Sequence, residues 1–153
     1  MSMLIALVSW FALTKPHPTH TPARPLGIIQ VRPGGENWVA GPRTVPGSRM
    51  AVLEGDPQKE GIFTMRLEIP AGTRIAPHWH PRDERVTVLA GEARIGFGDA
   101  FEERAFTPLP AGSFYVNPAM SHHFLDFPKK TVLQITGSGP WELHPIGPVP
   151  AKP

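Results

Sequence analysis

From Ile62 to Ile69 the chain alternates: Phe63, Met65, Leu67 and Ile69 fall on one face, Thr64, Arg66 and Glu68 on the other. That period of two belongs to a strand with one side in a core and the other in water. Similar short runs recur between turn residues: GIIQV (27–31), RMAVLE (49–54), ERVTVLA (84–90), EARIGF (92–97), SFYVN (113–117), HFLDF (123–127) and TVLQIT (131–136). Eight such segments at this spacing predict an all-β sandwich or barrel. No helical period persists beyond a turn or two, and no internal repeat is present. With 20 Pro and 15 Gly in 153 residues, long helices would be interrupted throughout, so a helical bundle is excluded. The length suits one domain with a substantial core.

The ends of the chain have a different character. Residues 3–13 are apolar apart from Ser9, too short a run to span a bilayer as a helix. The run has the length of a signal-peptide core but lacks a preceding basic residue and a small-x-small cleavage site. It therefore reads either as an export leader, with a periplasmic or secreted destination, or as a packed arm on a cytoplasmic protein. TKPHPTHTPARP (14–25) reads as an extended Pro-rich linker, and its His17 and His20 have nothing rigid to orient them. The expected organisation is an arm over 1–25, a folded domain over 26–147 and a Pro-rich tail over 148–153. Exposure of residues 3–13 would be costly, so a homodimer associated through them is expected if they are retained.

Charge and cysteine content narrow the chemistry. A net charge of +2 with Lys129–Lys130 as the only adjacent basic pair offers no stripe for nucleic-acid phosphates. Without cysteine there is no disulfide, thiolate nucleophile or thiolate metal ligand, so any metal must bind through His, Asp or Glu. The segment Gly72-TRIAP-His78-Trp79-His80-PRD-Glu84-RVTVLA-Gly91 supplies such groups. In a strand, residues 78 and 80 share a face, and Glu84 keeps their parity if the Pro81 turn preserves it. Two imidazoles and a carboxylate suit a divalent transition metal: iron, manganese, zinc, copper or nickel. GFGD (96–99) lacks the strand-to-helix setting of a phosphate loop and reads as a hairpin turn.

A second segment, Gly112-SFYVN-Pro118-Ala119-Met120-Ser121-His122-His123, again joins a glycine, a strand and a Pro-started turn to histidine. Together the two segments resemble the paired motifs of the cupin superfamily. The first matches in full; in the second, Met120 replaces the usual turn glycine and Phe127 stands where an Asn often follows. Glycine there permits a positive φ, so Met120 predicts either a different turn or local strain. AVLEGDP (51–57), PHWHP (77–81), RVTVLAG (85–91), LPAGSF (109–114), SHHF (121–124) and GSGPW (137–141) are similar to small single-domain bacterial cupins, many made with a secretory leader and mostly of unassigned function. That resemblance covers about residues 38–147. It implies a double-stranded β-helix, or jelly roll, with one metal held by His78, His80, Glu84 and His123. Motif spacing selects His123 over His122, which alternation turns to the opposite face. His144 lies outside both motifs and reads as structural or exposed.

A metal so held keeps coordination positions open, which points to an enzyme of the oxygenase type acting on a small organic molecule. A non-catalytic ligand sensor and a metal-dependent lyase or isomerase are the competing readings. Met65, Val86, Val88, Tyr115 and Leu125 are the candidate walls of a mainly apolar substrate pocket.

Overall fold

A computed structural model describes residues 27–147; the apolar run at 3–13, the linker with His17 and His20, and the tail at 148–153 lie outside the described residues. Eleven strands are formed among them: β1 (Val39–Ala40), β2 (Arg49–Glu54), β3 (Gly61–Ile69), β4 (Thr73–Trp79), β5 (Glu84–Ala90), β6 (Glu92–Phe97), β7 (Thr107–Pro110), β8 (Phe114–Asn117), β9 (His123–Phe127), β10 (Thr131–Gly139) and β11 (His144–Pro145). One six-stranded sheet runs β1-β2-β3-β10-β5-β8 and a five-stranded sheet runs β11-β4-β9-β6-β7. All pairings are antiparallel, and neighbours such as β3 and β10 or β4 and β9 are distant in sequence. This crossing between two sheets is the jelly roll of a double-stranded β-helix.

The alternation read from the sequence sets the core. Phe63, Met65, Leu67 and Ile69 of β3, Val86 and Val88 of β5, and Leu133 and Ile135 of β10 are buried against Ile75, Ile95, Leu125 and Phe127 of the other sheet. Each such side chain stabilises the fold by about 1.5–3 kcal/mol through removal of apolar surface from water. Phe124 leaves β9 on the opposite face and is buried there by Phe101 and Phe106, with ring centroids 5.1 and 5.3 Å away. This packing requires glycine at position 96, because a Cβ there would lie 2.3 Å from the Phe124 ring. Loop 98–106, with its single 3-10 turn at Glu103–Ala105, is thereby fastened to the five-stranded sheet.

GIIQV does not form the predicted strand. Residues 28–31 join neither sheet, and Ile28 and Ile29 are exposed; the strand that pairs with β2 at this side is Val39–Ala40, against Arg49 and Met50. An ion pair between Glu36 and Arg66 fastens the following residues against the outer face of β3. Conversely, TPLP at 107–110 is a strand despite its prolines: it lies at the edge of its sheet, where proline's missing N–H is tolerated.

Met120 keeps the left-handed backbone of the glycine it replaces, at φ 63°. Its side chain is exposed. For a residue bearing a Cβ, this conformation costs about 1–2 kcal/mol, partly offset by the entropy glycine would lose on folding. Met120→Gly should accordingly stabilise the protein by roughly 0.5–1 kcal/mol in urea denaturation, with metal stoichiometry unchanged.

Candidate metal centre

The site lies where the two sheets converge at one end of the barrel. His78 of β4 stands directly opposite His123 of β9, so the two side chains leave the five-stranded sheet on the same face. Glu84 opens β5 in the six-stranded sheet, pairing with Asn117 of β8. His80 sits on the link between the sheets, and all four side chains are buried. The His78 and His123 ring centroids are 4.2 Å apart, with His80 at 5.0 Å from His78 and 5.3 Å from His123.

Three backbone carbonyls decide what these rings present. His78 Nδ1 donates to Ala76 O at 2.7 Å, His80 Nδ1 to Glu142 O at 2.6 Å and His123 Nδ1 to Ser121 O at 3.0 Å. A carbonyl can only accept, so in each neutral ring the proton sits on Nδ1 and Nε2 carries a lone pair. One ring nitrogen from each histidine lies within 4.8 Å of the other two. His123 Nε2 is buried with no hydrogen-bond partner. An unpaired buried acceptor normally costs about 1–3 kcal/mol, and a divalent cation is the group that would satisfy three converging lone pairs at once. The donor set therefore fits a metal ion.

The electrostatics point the same way. Burial foremost, then the neighbouring His123 and His80, push the His78 pKa down to about 3. Burial likewise lowers that of His123. Neutral imidazole, the metal-binding form, is thus favoured at these two histidines, and at His78 well below neutral pH.

Glu84 stands just outside this mutually close set. Its Oε1 accepts from Trp141 Nε1–H at 2.7 Å and its Oε2 from Asn117 Nδ2–H at 3.0 Å. The same Oε2 is 3.5 Å from His80 Nε2. The Tyr115 phenol is held protonated by burial and by the negative charge of Glu84. His122 faces outward, its Nδ1 2.6 Å from Asp99 Oδ1. His144 stacks on Trp79 at 4.1 Å and meets Glu142 Oε2 at 2.8 Å.

Below the histidines lies a cavity of about 30 Å³, lined by His78, His80 and Glu84 and by apolar groups including Leu67, Ile69, Val86, Leu125 and Leu133. Tyr115, Trp141 and Leu143, all half-buried, complete its wall. Val86, Tyr115 and Leu125, three of the five candidate wall residues named from the sequence, border this cavity. Met65 and Val88 are instead fully buried within the core, and Leu67 and Ile69, further along β3, take the wall position. Asn117 and Trp141 were not foreseen as site residues. Trp141 closes the GSGPW stretch and Asn117 precedes Pro118 of the second motif, but only the fold brings either to Glu84.

The jelly-roll order of the sheets and the buried three-histidine cluster define a metal-binding cupin. The sequence model of the ChrR cupin-like domain matches residues 28–142, and the chain belongs to that family. Germin-like protein 3-1 of Oryza sativa subsp. japonica is 34% identical over 67 residues, which are 43% of this chain and 30% of that protein, so the chain matches under a third of this relative's length. Among solved structures, the polyketide cyclase RemF of Streptomyces resistomycificus superposes with a TM-score of 0.64 at 12% identity, over 80% of this chain and 88% of that one. An acetylacetone dioxygenase of Acinetobacter johnsonii gives 0.57 at 19% identity, over 84% and 83%. At these identities the superpositions establish the shared fold. No helix among the described residues is long and apolar enough to cross a membrane.

Proposed function

We propose that the protein is a metal-dependent enzyme of the oxygenase type, acting on a small organic molecule at an ion held by His78, His80, His123 and Glu84. The observation that carries this reading is the convergence of one ring nitrogen from each of three buried histidines, two of which, His78 and His80, line an apolar cavity. Bound iron, manganese, copper or nickel would supply Lewis acidity and redox chemistry, and zinc Lewis acidity alone. Val86 and Leu125 exclude water and favour an apolar substrate body. Tyr115, protonated at any working pH, offers an O–H donor to a substrate oxygen within the cavity. Trp141 and Leu143 close the wall and hold back bulk water.

A cavity of about 30 Å³ admits a water molecule or two, so any organic substrate must displace half-buried side chains, Trp141, Leu143 and Tyr115 among them. That same small volume favours a second reading, a sensor that binds ion or ligand without turnover. The acetylacetone dioxygenase neighbour supports the first. Loading the apoprotein separately with iron, manganese, copper and zinc and presenting phenols, diketones and thiols separates them, with dioxygen uptake and product mass followed. Dioxygen uptake with a redox-active ion and none with zinc is the expected result. Product without dioxygen uptake would indicate a lyase or isomerase. Tight binding without turnover in any form, with a change in association state, would replace the enzyme by the sensor.

A further inference from the structure

One short segment reaches two groups of the centre at once. The Trp141 indole N–H donates to Glu84 Oε1 at 2.7 Å while its ring stacks on His80, at 5.6 Å between centroids and 18° between planes. The next residue, Glu142, accepts the His80 Nδ1 proton through its carbonyl at 2.6 Å. The segment is firmly seated: Trp141 N donates to Pro57 O at 2.6 Å, and β11, just beyond, pairs with β4 at His78 and Trp79. Gly139, which leads into it, has no room for a side chain, since a Cβ would lie 2.0 Å from Lys59 O. From the opposite side Asn117, itself buried, donates to the other oxygen of Glu84 at 3.0 Å.

Glu84 is therefore gripped by one neutral N–H donor on each oxygen. A carboxylate offers about four lone-pair sites, so two such bonds fix its plane while leaving a lone pair free on each oxygen. Oε2, at 3.5 Å from His80 Nε2, is the oxygen nearer that histidine. We propose that Trp141 and Asn117 are positioning residues of the metal centre, which aim the Glu84 carboxylate at the three-histidine cluster and complete the site. This inference rests on the metal-binding reading above. Without the two donors the carboxylate would have to give up rotational freedom to reach the ion, and outer partners of this kind are typically worth about 10–100-fold in metal affinity.

A double-mutant cycle tests the assignment, with affinity for manganese and zinc measured by chelator competition. Trp141→Phe keeps an aromatic ring on His80 and removes only the indole N–H; Asn117→Leu removes the amide at similar volume. Each is expected to weaken binding about 10–100-fold, while apoprotein melting shows that the fold persists. In a Glu84→Gln background, already weakened, neither substitution should weaken binding further, because each acts through the carboxylate. The copper-loaded protein supplies a second readout: its electron paramagnetic resonance spectrum should shift in Trp141→Phe toward that of Glu84→Gln. Unchanged affinity in both single variants, or an equal loss with and without Glu84, would overturn the positioning role. Failure of the unaltered protein to bind either ion would instead remove the metal reading itself, so the two failures are distinguishable.

Discussion

His123→Ala protein, purified and loaded with a divalent ion, is expected to retain no stoichiometric metal, whereas His122→Ala protein keeps the full complement. His123 Nε2 is buried without a partner and stands among the lone pairs of His78 and His80, while His122 pairs with Asp99 at the surface. Loss of one of three converging imidazoles leaves only two of the clustered nitrogen donors. The weakening should exceed the roughly 10–100-fold produced by removing an outer hydrogen-bond partner. Elemental analysis after gel filtration measures it, and a circular-dichroism spectrum dominated by strand in both variants shows that the fold is unaffected. Metal retained in His123→Ala and lost in His122→Ala would reverse the assignment.

Acid should destabilise the apoprotein steeply, beginning near the ordinary histidine range. His78 and His123 are held neutral in the folded chain, with pKa values below the ordinary 6.5, that of His78 near 3. The unfolded chain takes up these protons first as pH falls, so the stability associated with both neutral rings is complete above about pH 6.5 and is lost progressively below it. Each such histidine steepens the fall by up to about 1.4 kcal/mol per pH unit, and His78 alone accounts for roughly 4–5 kcal/mol by pH 3. Urea denaturation of apoprotein from pH 7.5 to 4 measures this slope. Ordinary imidazole ligands would release metal below about pH 6; here the depressed pKa values keep His78 and His123 neutral further down, so their protonation should coincide with unfolding. His78→Gln apoprotein should show a shallower acid slope, and an unchanged slope would place the proton uptake elsewhere.

Much of this protein is written in local pattern. Alternation in 62–69, 84–90 and 131–136 is enough to place Phe63, Leu67, Val86 and Ile135 in a core, since successive strand residues must face opposite ways and only one face is apolar. The same parity separates His123 from His122 and keeps His78 and Glu84 on inward positions, and the spacing of the two motifs carries the likeness to the cupin fold. Position 120 also follows locally, because the turn demands a positive φ whichever residue occupies it. Pairing is decided at longer range. GIIQV has the composition of a strand but joins neither sheet, and TPLP has the composition of a turn but pairs with β6 at a sheet edge. Residues 84, 117 and 141 meet only because β5, β8 and the end of β10 lie together at one end of the barrel, which no periodicity records. Likewise, Leu67 and Ile69 rather than Met65 border the cavity, although all three share the inward face of β3. Residue type and spacing thus determined which groups could bind a metal, and the His78 and His123 tautomers are fixed by carbonyls two residues away; tertiary structure alone decided that the Glu142 carbonyl fixes His80 and which donors hold the carboxylate, because those contacts join residues 33, 57 and 62 apart.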